Sequence, residues 1–295
     1  MSPSLNANAR RRAFRAHLAG TACLYPASIY DPLSARAAEE LGFELVFMAG
    51  SVASLVILGA PDLVIVTLSE LAEQARRIAR ATTLPFFLDA DHGFGNALSV
   101  MRSVEELEAA GLSGITIEDT ALPEHFGQSG ASAPHALEES IGKMKAALAA
   151  RSDPDFVVIG RSGAVATTGL ADALLRIAAY QDAGVDAIFL SGLSTRAEVE
   201  ACAAACRVPL LLGNVPPTLR DAQALASLGV RAVITGHRPH SAAVRATYET
   251  LRDTRAGVLG PQPDDEPSMI NRLSRKTEFG AWRTAFLTSD KEAQS

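Results

Sequence analysis

The sequence predicts a (β/α)8 barrel of the TIM type, and two observations carry that expectation. A helix-to-strand junction recurs four times, as Leu41-Gly42-Phe43, Ala110-Gly111-Leu112, Ala183-Gly184-Val185 and Leu228-Gly229-Val230. Each puts a glycine where a helix must turn left-handed before a β-rich apolar run begins. Eight such runs alternate with helical periodicity through residues 1–240, the arithmetic of eight βα units. An open, doubly wound sheet is the competing arrangement, but no Gly-x-Gly-x-x-Gly opens a helix after the first strand.

Strands are expected at 22–28, 45–48, 86–89, 114–118, 156–161, 187–190, 209–212 and 232–235. Most are continuous apolar runs, as parallel strands covered on both faces require. Between the second and third, Leu68, Leu71, Ala75 and Ile78 share one helical face, and Thr67 with Glu70 makes a capping box ahead of it. Residues 97–110 and 170–183 read as amphipathic helices ended by Gly111 and Gly184. Residues 241–295 form a C-terminal helical extension. It has a helix at 242–255, a Gly/Pro linker from Gly257, and a last segment at 267–287 holding the single tryptophan, Trp282.

With 295 residues, 48% of them apolar, the chain has ample material for a core. No run approaches the roughly 18 apolar residues that span a bilayer. Arg10, Arg11, Arg12 and Arg15 crowd the start without the apolar stretch of a secretory signal. A net charge of −6 argues against nucleic-acid or membrane-surface binding. Cys23, Cys202 and Cys206 make no disulfide framework, so a reduced, cytoplasmic protein is expected. Only four basic residues are lysines, Lys143, Lys145, Lys276 and Lys291, and none falls in an expected strand. That disfavours a Schiff-base mechanism.

In a barrel, chemistry collects at the C-terminal ends of the strands, and here carboxylates collect there. The third strand runs into Leu88-Asp89-Ala90-Asp91-His92-Gly93-Phe94-Gly95-Asn96, the fourth ends Ile117-Glu118-Asp119, and Asp62 lies in the loop after the second. Converging carboxylates repel unless a cation neutralises them. Oxygen donors without a nearby cysteine pair favour Mg2+, with Mn2+ as the alternative, over Zn2+. Each aspartate alone would more commonly be a helix cap or turn residue; it is the combination that points to metal. Arg161 ends the fifth strand as its one charged residue, suited to clamp a substrate carboxylate or to pair with Glu118. His92 is expected as a hydrogen-bonding neighbour of the metal site, and His125 and His135 in solvent. Tyr25 is either core or a pocket wall with its hydroxyl toward substrate.

These motifs resemble the isocitrate lyase / phosphoenolpyruvate mutase superfamily. Tyr30-Asp31-Pro32-Leu33-Ser34-Ala35-Arg36 and Gly50-Ser51-Val52-Ala53-Ser54 add to a match spanning residues 12–255. The Gly50–Ser54 motif, Asp91-His92-Gly93 and Gly236-His237 are together most similar to its oxaloacetate decarboxylase branch. The resemblance implies Mg2+ on Asp89 directly, with Asp62, Asp91 and Glu118 acting mainly through bound waters. It implies that Ser51, with backbone amides around Gly50, binds the keto-acid carboxylate, and that Arg161 and His237 contact substrate. It further implies a homotetramer, a dimer of dimers in which the helix after His237 is exchanged.

The expected reaction is Mg2+-dependent decarboxylation of oxaloacetate, or a close 3-carboxy-2-oxo acid, to pyruvate and CO2 through a metal-stabilised enolate. Lyases of the superfamily carry Lys-Lys-Cys-Gly-His in the loop after the fourth strand, whereas Leu122–Ala131 here contains no cysteine. Cleavage of the 2-methylisocitrate or dimethylmalate type is therefore the second reading. A non-catalytic dicarboxylate binder is the third, motivated by Gly163, where relatives usually carry a polar residue, and Leu212, where they usually carry a polar or aromatic one.

Overall fold

The computed structural model describes residues 6–124, 126–127, 133–258, 260 and 266–287. His125 and most of the loop around it lie outside this set. Helix α1 (Ala7–Ala19) precedes β1 (Ala27–Ser28), α2 (Pro32–Glu40), β2 (Val46–Met48), α3 (Gly50–Leu58), α4 (Leu68–Ala79) and β3 (Phe86–Asp89). Then come α5 (Ala97–Ala109), β4 (Gly114–Glu118), α6 (Leu137–Ala150), β5 (Val157–Ser162), α7 (Ala164–Thr167), α8 (Leu170–Ala183) and β6 (Ala187–Ser191). The barrel ends with α9 (Arg196–Ala205), β7 (Leu210–Gly213), α10 (Ala222–Ser227) and β8 (Val230–Ile234). After these come α11 (Arg238–Arg255), α12 (Glu266–Leu273) and α13 (Lys276–Leu287).

The eight strands pair in chain order, all parallel. A parallel bridge between Leu24 and Ala232 joins the first edge to the last, so the expected barrel is the observed fold. The first strand is shorter than the sequence suggests. Pro26 has no amide hydrogen to give a neighbour, which leaves only the Leu24 bridge ahead of Ala27–Ser28. The predicted capping box of α4 is present, with Thr67 and Glu70 bonded reciprocally.

Period-two alternation splits the buried residues into two cores. Leu45, Phe47, Phe87, Val157, Ile159, Phe189, Leu211 and Ile234 fill the barrel. The alternate positions, including Val46, Leu88, Ile117, Val158, Leu190 and Leu212, pack outward against the helices. Helix α1, not assigned by the sequence reading, closes one end. Its Phe14 is fully buried and stacks on Phe87 at 5.2 Å. The N-terminal arginines serve this closure: Arg11 meets Asp153 at 2.7 Å and Arg15 meets Asp186 at 2.9 Å.

The chain divides into two compact units, Met1–His240 and Ser241–Ser295. The expected helix at 242–255 begins earlier, at Arg238, and the segment expected at 267–287 is two helices separated by Ser274 and Arg275. In the second unit Phe279 meets Trp282 edge-to-face at 5.0 Å, and Arg275 lies over the same indole at 5.4 Å.

Candidate active site

The inward parity that fills the barrel with Phe and Leu delivers polar groups one step further along the strands. Asp89 follows Phe87, Glu118 follows Thr116, Arg161 follows Ile159, and Ser191 follows Phe189. Together with Ser51, Asp62, Asp91 and His237 they line one cavity of about 330 Å3. Seven of the residues singled out in the sequence therefore meet: Ser51, Asp62, Asp89, Asp91, Glu118, Arg161 and His237.

Arg161 organises the acids. Its guanidinium pairs with Asp89 through Nη1 and reaches Glu118 Oε2 at 3.2 Å through Nη2, so β5 ties β3 to β4. The flat face of the group lies over the Phe189 ring at 5.4 Å. The ion pair with Glu118 considered from the sequence is thus present, with Asp89 as the second partner. Burial opposes the guanidinium charge, but Asp89 and Glu118 outweigh it and raise the Arg161 pKa. Asp89 Oδ1 also accepts a hydrogen bond from Thr116 Oγ1 at 2.8 Å.

One guanidinium does not neutralise four acids. Burial, and then the charge of Asp89, push Asp62 above the ordinary carboxylate range. Asp91 is raised well above it by burial and by Asp89, Glu118 and Asp62. Glu118 is raised by burial, with Arg161 pulling the other way. Such a cavity suits a divalent cation. Each carboxylate has about four lone-pair sites, so Asp89 retains capacity for an ion beyond Arg161 and Thr116. Among the described residues no three acids or histidines are disposed to hold one ion together. A cation here would take only part of its shell directly from the protein and the remainder from water or ligand oxygens, a habit of Mg2+.

Several expected residues stand elsewhere. Gly50 is buried behind the wall: a Cβ there would lie 2.4 Å from Asp91 Oδ1, so the carboxylate needs a glycine. Tyr25 does not reach the cavity. Leu24 packs with the barrel interior and Tyr25, next in the strand, faces out, where its hydroxyl donates to the Arg220 carbonyl. Leu212 likewise points to the outer core while Leu211 and Gly213 take the inward positions, so it does not alter the pocket wall. Gly163 stands beside Ser191, whose Oγ would be 3.5 Å from an added Cβ.

Asp119 follows the same rule. It turns away from Glu118 to accept hydrogen bonds from Tyr180 Oη at 2.6 Å and Arg176 Nη1 at 3.2 Å. Lys143, on α6, is wholly buried behind this wall. Burial lowers its pKa, against the pull of Glu139, Glu118 and Asp119. It does not line the cavity. His92 is buried beside the site rather than in its wall, and burial with repulsion from Lys143 and His135 brings its pKa down to about 4. His135, expected in solvent, is half-buried, with its backbone N–H on the Asp119 carbonyl at 2.7 Å and its ring 3.4 Å from Glu139.

The sequence reading missed Ser191 and Asn214, which line the cavity at the ends of β6 and β7. The strand-end rule that found Arg161 points to both. No thiol joins the site. Cys202 and Cys206 belong to α9 and its end, and burial raises their pKa values to about 11 and about 12.

A profile of the family described as phosphoenolpyruvate phosphomutase matches residues 14–255. An oxaloacetate decarboxylase of Rhodopseudomonas palustris (strain BisB18) is 53% identical over 251 residues, 84% of this chain and 86% of the relative. One from Bradyrhizobium sp. (strain BTAi1) is 50% identical over 262 residues, 88% of this chain and 90% of the relative. Among solved structures, a phosphonopyruvate hydrolase complex with oxalate and Mg2+ aligns at TM-score 0.80 and 33% identity, covering 95% of this chain and 99% of that one. Oxaloacetate acetylhydrolase in complex with the inhibitor 3,3-difluorooxalacetate aligns at TM-score 0.84 and 28% identity, covering 96% and 99%.

Two outcomes follow from this geometry. Gly50→Ala is expected to displace the Asp91 carboxylate and weaken divalent-cation binding by about tenfold or more; calorimetric titration giving wild-type affinity would refute the packing argument. Because folding raises the pKa of Asp62, Asp91 and Glu118, their protonation stabilises the metal-free fold below about pH 4. That stability is lost as pH rises through the raised values. The gain in unfolding temperature on adding Mg2+ to EDTA-treated protein is therefore expected to grow from pH 5 to pH 8; a constant or shrinking gain would contradict it.

Proposed function

The chain belongs to the phosphoenolpyruvate phosphomutase family, and we propose that it catalyses the decarboxylation of oxaloacetate, or a close 3-carboxy-2-oxo acid, to pyruvate and CO2. The observation that carries this reading is the single cavity in which Asp89, Asp91, Asp62 and Glu118 face Arg161, Ser51 and His237. The relatives at about half identity named oxaloacetate decarboxylase support it. Mg2+ is the proposed ion, supported by the oxalate and Mg2+ complex of the phosphonopyruvate hydrolase neighbour. Asp89 would hold it directly, with Asp62, Asp91 and Glu118 around it through water. When bound, the cation supplies Lewis-acid polarisation of the keto oxygen and takes up the charge that develops there.

The chain's own groups supply orientation. Ser51, near the start of α3, offers a hydroxyl to the carboxylate that stays with the product. Arg161 already bridges Asp89 and Glu118, so its charge is held in place and needs no reorganisation as negative charge moves onto the enolate. Arg161 is the one Arg or Lys among the described residues lining the cavity, and Val64, Leu122 and Ile234 supply apolar wall. An apolar surface disfavours the departing carboxylate and tolerates neutral CO2, which lowers the barrier between them. Carbon–carbon lyase chemistry of the dimethylmalate type lacks its usual thiol, since none of the three cysteines lines the cavity.

The assembly proposed is a homotetramer built as a dimer of dimers, in a reducing cytoplasm. Unit Met1–His240 has an apolar groove of about 520 Å3, bordered by Tyr25, Ala38, Leu41, Phe43 and Pro239. On α11, Val244, Tyr248 and Leu251 recur at helical spacing and are all more than half exposed. A helix of this kind from a second copy suits such a groove.

Purified protein with Mg2+ and oxaloacetate is expected to form pyruvate faster than Mg2+ alone, and Asp89→Ala to lower kcat by about a hundredfold or more. A rate no greater than the metal-only rate would remove the decarboxylase reading, and a fully active Asp89→Ala would remove the metal assignment. Tyr248→Asp with Leu251→Arg is expected to yield a smaller species by light scattering; an unchanged mass would exclude α11 from the interface.

A further inference from the structure

The ring of His237 is held from β1. Ser28, the last residue of β1, places Oγ 2.9 Å from His237 Nδ1. His237 lines the acidic cavity, and Ser28 pairs in register with Phe47, an inward residue of the same cavity. The bond therefore ties β1 to the segment after β8. Gly236, at φ +101°, gives the turn that brings the histidine round, and the Phe47 ring lies 6.5 Å away, tilted by 32°. An imidazole has two different nitrogens, and a half-turn about its ring torsion puts Cδ2 in place of Nδ1 and Cε1 in place of Nε2. With Nδ1 on Ser28, it is Nε2 that meets a ligand in the cavity.

We infer that Ser28 is a positioning residue: it fixes the ring orientation of His237 and so selects Nε2 as the atom presented to substrate. A serine suits the task because its hydroxyl can donate to Nδ1 or accept from Nδ1–H. The ring keeps one orientation whichever tautomer it adopts, and also when both nitrogens carry hydrogen. An alanine would fill nearly the same space and remove that hold.

The catalytic part of this inference rests on the decarboxylase reading; the coupling between Ser28 and His237 does not. The test compares Ser28→Ala, Ser28→Thr, His237→Gln and the Ser28→Ala/His237→Gln double variant. Ser28→Ala is expected to lower kcat by about tenfold with a much smaller change in KM, and Ser28→Thr, which keeps the hydroxyl, to restore most of it. In the His237→Gln background the Ser28→Ala change is expected to cost little more, because the group it positions is gone. Independently of turnover, 15N-labelled histidine spectra of oxalate-bound protein are expected to show the His237 nitrogen shifts moving in Ser28→Ala and returning in Ser28→Thr.

Unchanged His237 shifts in Ser28→Ala would overturn the inference, as would a loss of kcat that recurs in full in the His237→Gln background. If wild-type protein does not decarboxylate oxaloacetate, the functional reading fails, and the nitrogen shifts still decide whether Ser28 holds the ring.

Discussion

Carboxylates brought together out of water repel one another strongly, and much of this fold is arranged around that repulsion. Arg161 answers it inside the cavity by bridging Asp89 on β3 and Glu118 on β4. Behind the wall, Asp119 Oδ2 accepts from Arg176 and Tyr180, and the buried amine of Lys143 lies within electrostatic reach of Glu118 and Asp119. The aspartates differ in their support. Asp89 is tied on both oxygens, whereas Asp91 sits against Gly50 at the start of α3. What remains uncompensated is negative charge, which a cation in the cavity would offset.

The fold was legible because its signals are local. Glycine after four of the amphipathic stretches and short apolar runs between helices give the strand count, and Thr67 and Glu70 mark a helix start that the structure reproduces. Strand ends were legible where a charged residue interrupts the apolar run, as at Asp89, Glu118 and Arg161. Strand parity was harder to read. In a parallel sheet buried on both faces, Leu211 and Leu212 are chemically alike, so nothing in the run says which one faces the barrel. For the same reason Tyr25 and Asp119, each beside an inward residue, were open to assignment to the wrong side.

Contacts between residues distant in sequence were not legible at all. Arg11 reads as one of several basic residues near the start, yet its partner Asp153 is 142 positions away. Ser28 and His237 are separated by 209 positions, and no composition or spacing links them. Lysine scarcity was informative in a different way. It argued against an amine nucleophile, and Lys143, though buried near the acids, lies behind the barrel wall and outside the cavity lining.

The layered interior has an evolutionary consequence. Phe14, Phe87, Val157, Ile159 and Leu211 form the apolar filling of the barrel, where a change of volume is felt as a loss of stability. At and beyond the strand ends, Ser191, Asn214 and Leu122 border the ligand space and do not belong to that filling. Selection can therefore act on the two sets almost separately. The rim is free to explore new substrates while the filling keeps the scaffold folded, which is how one barrel comes to host a family of related chemistries.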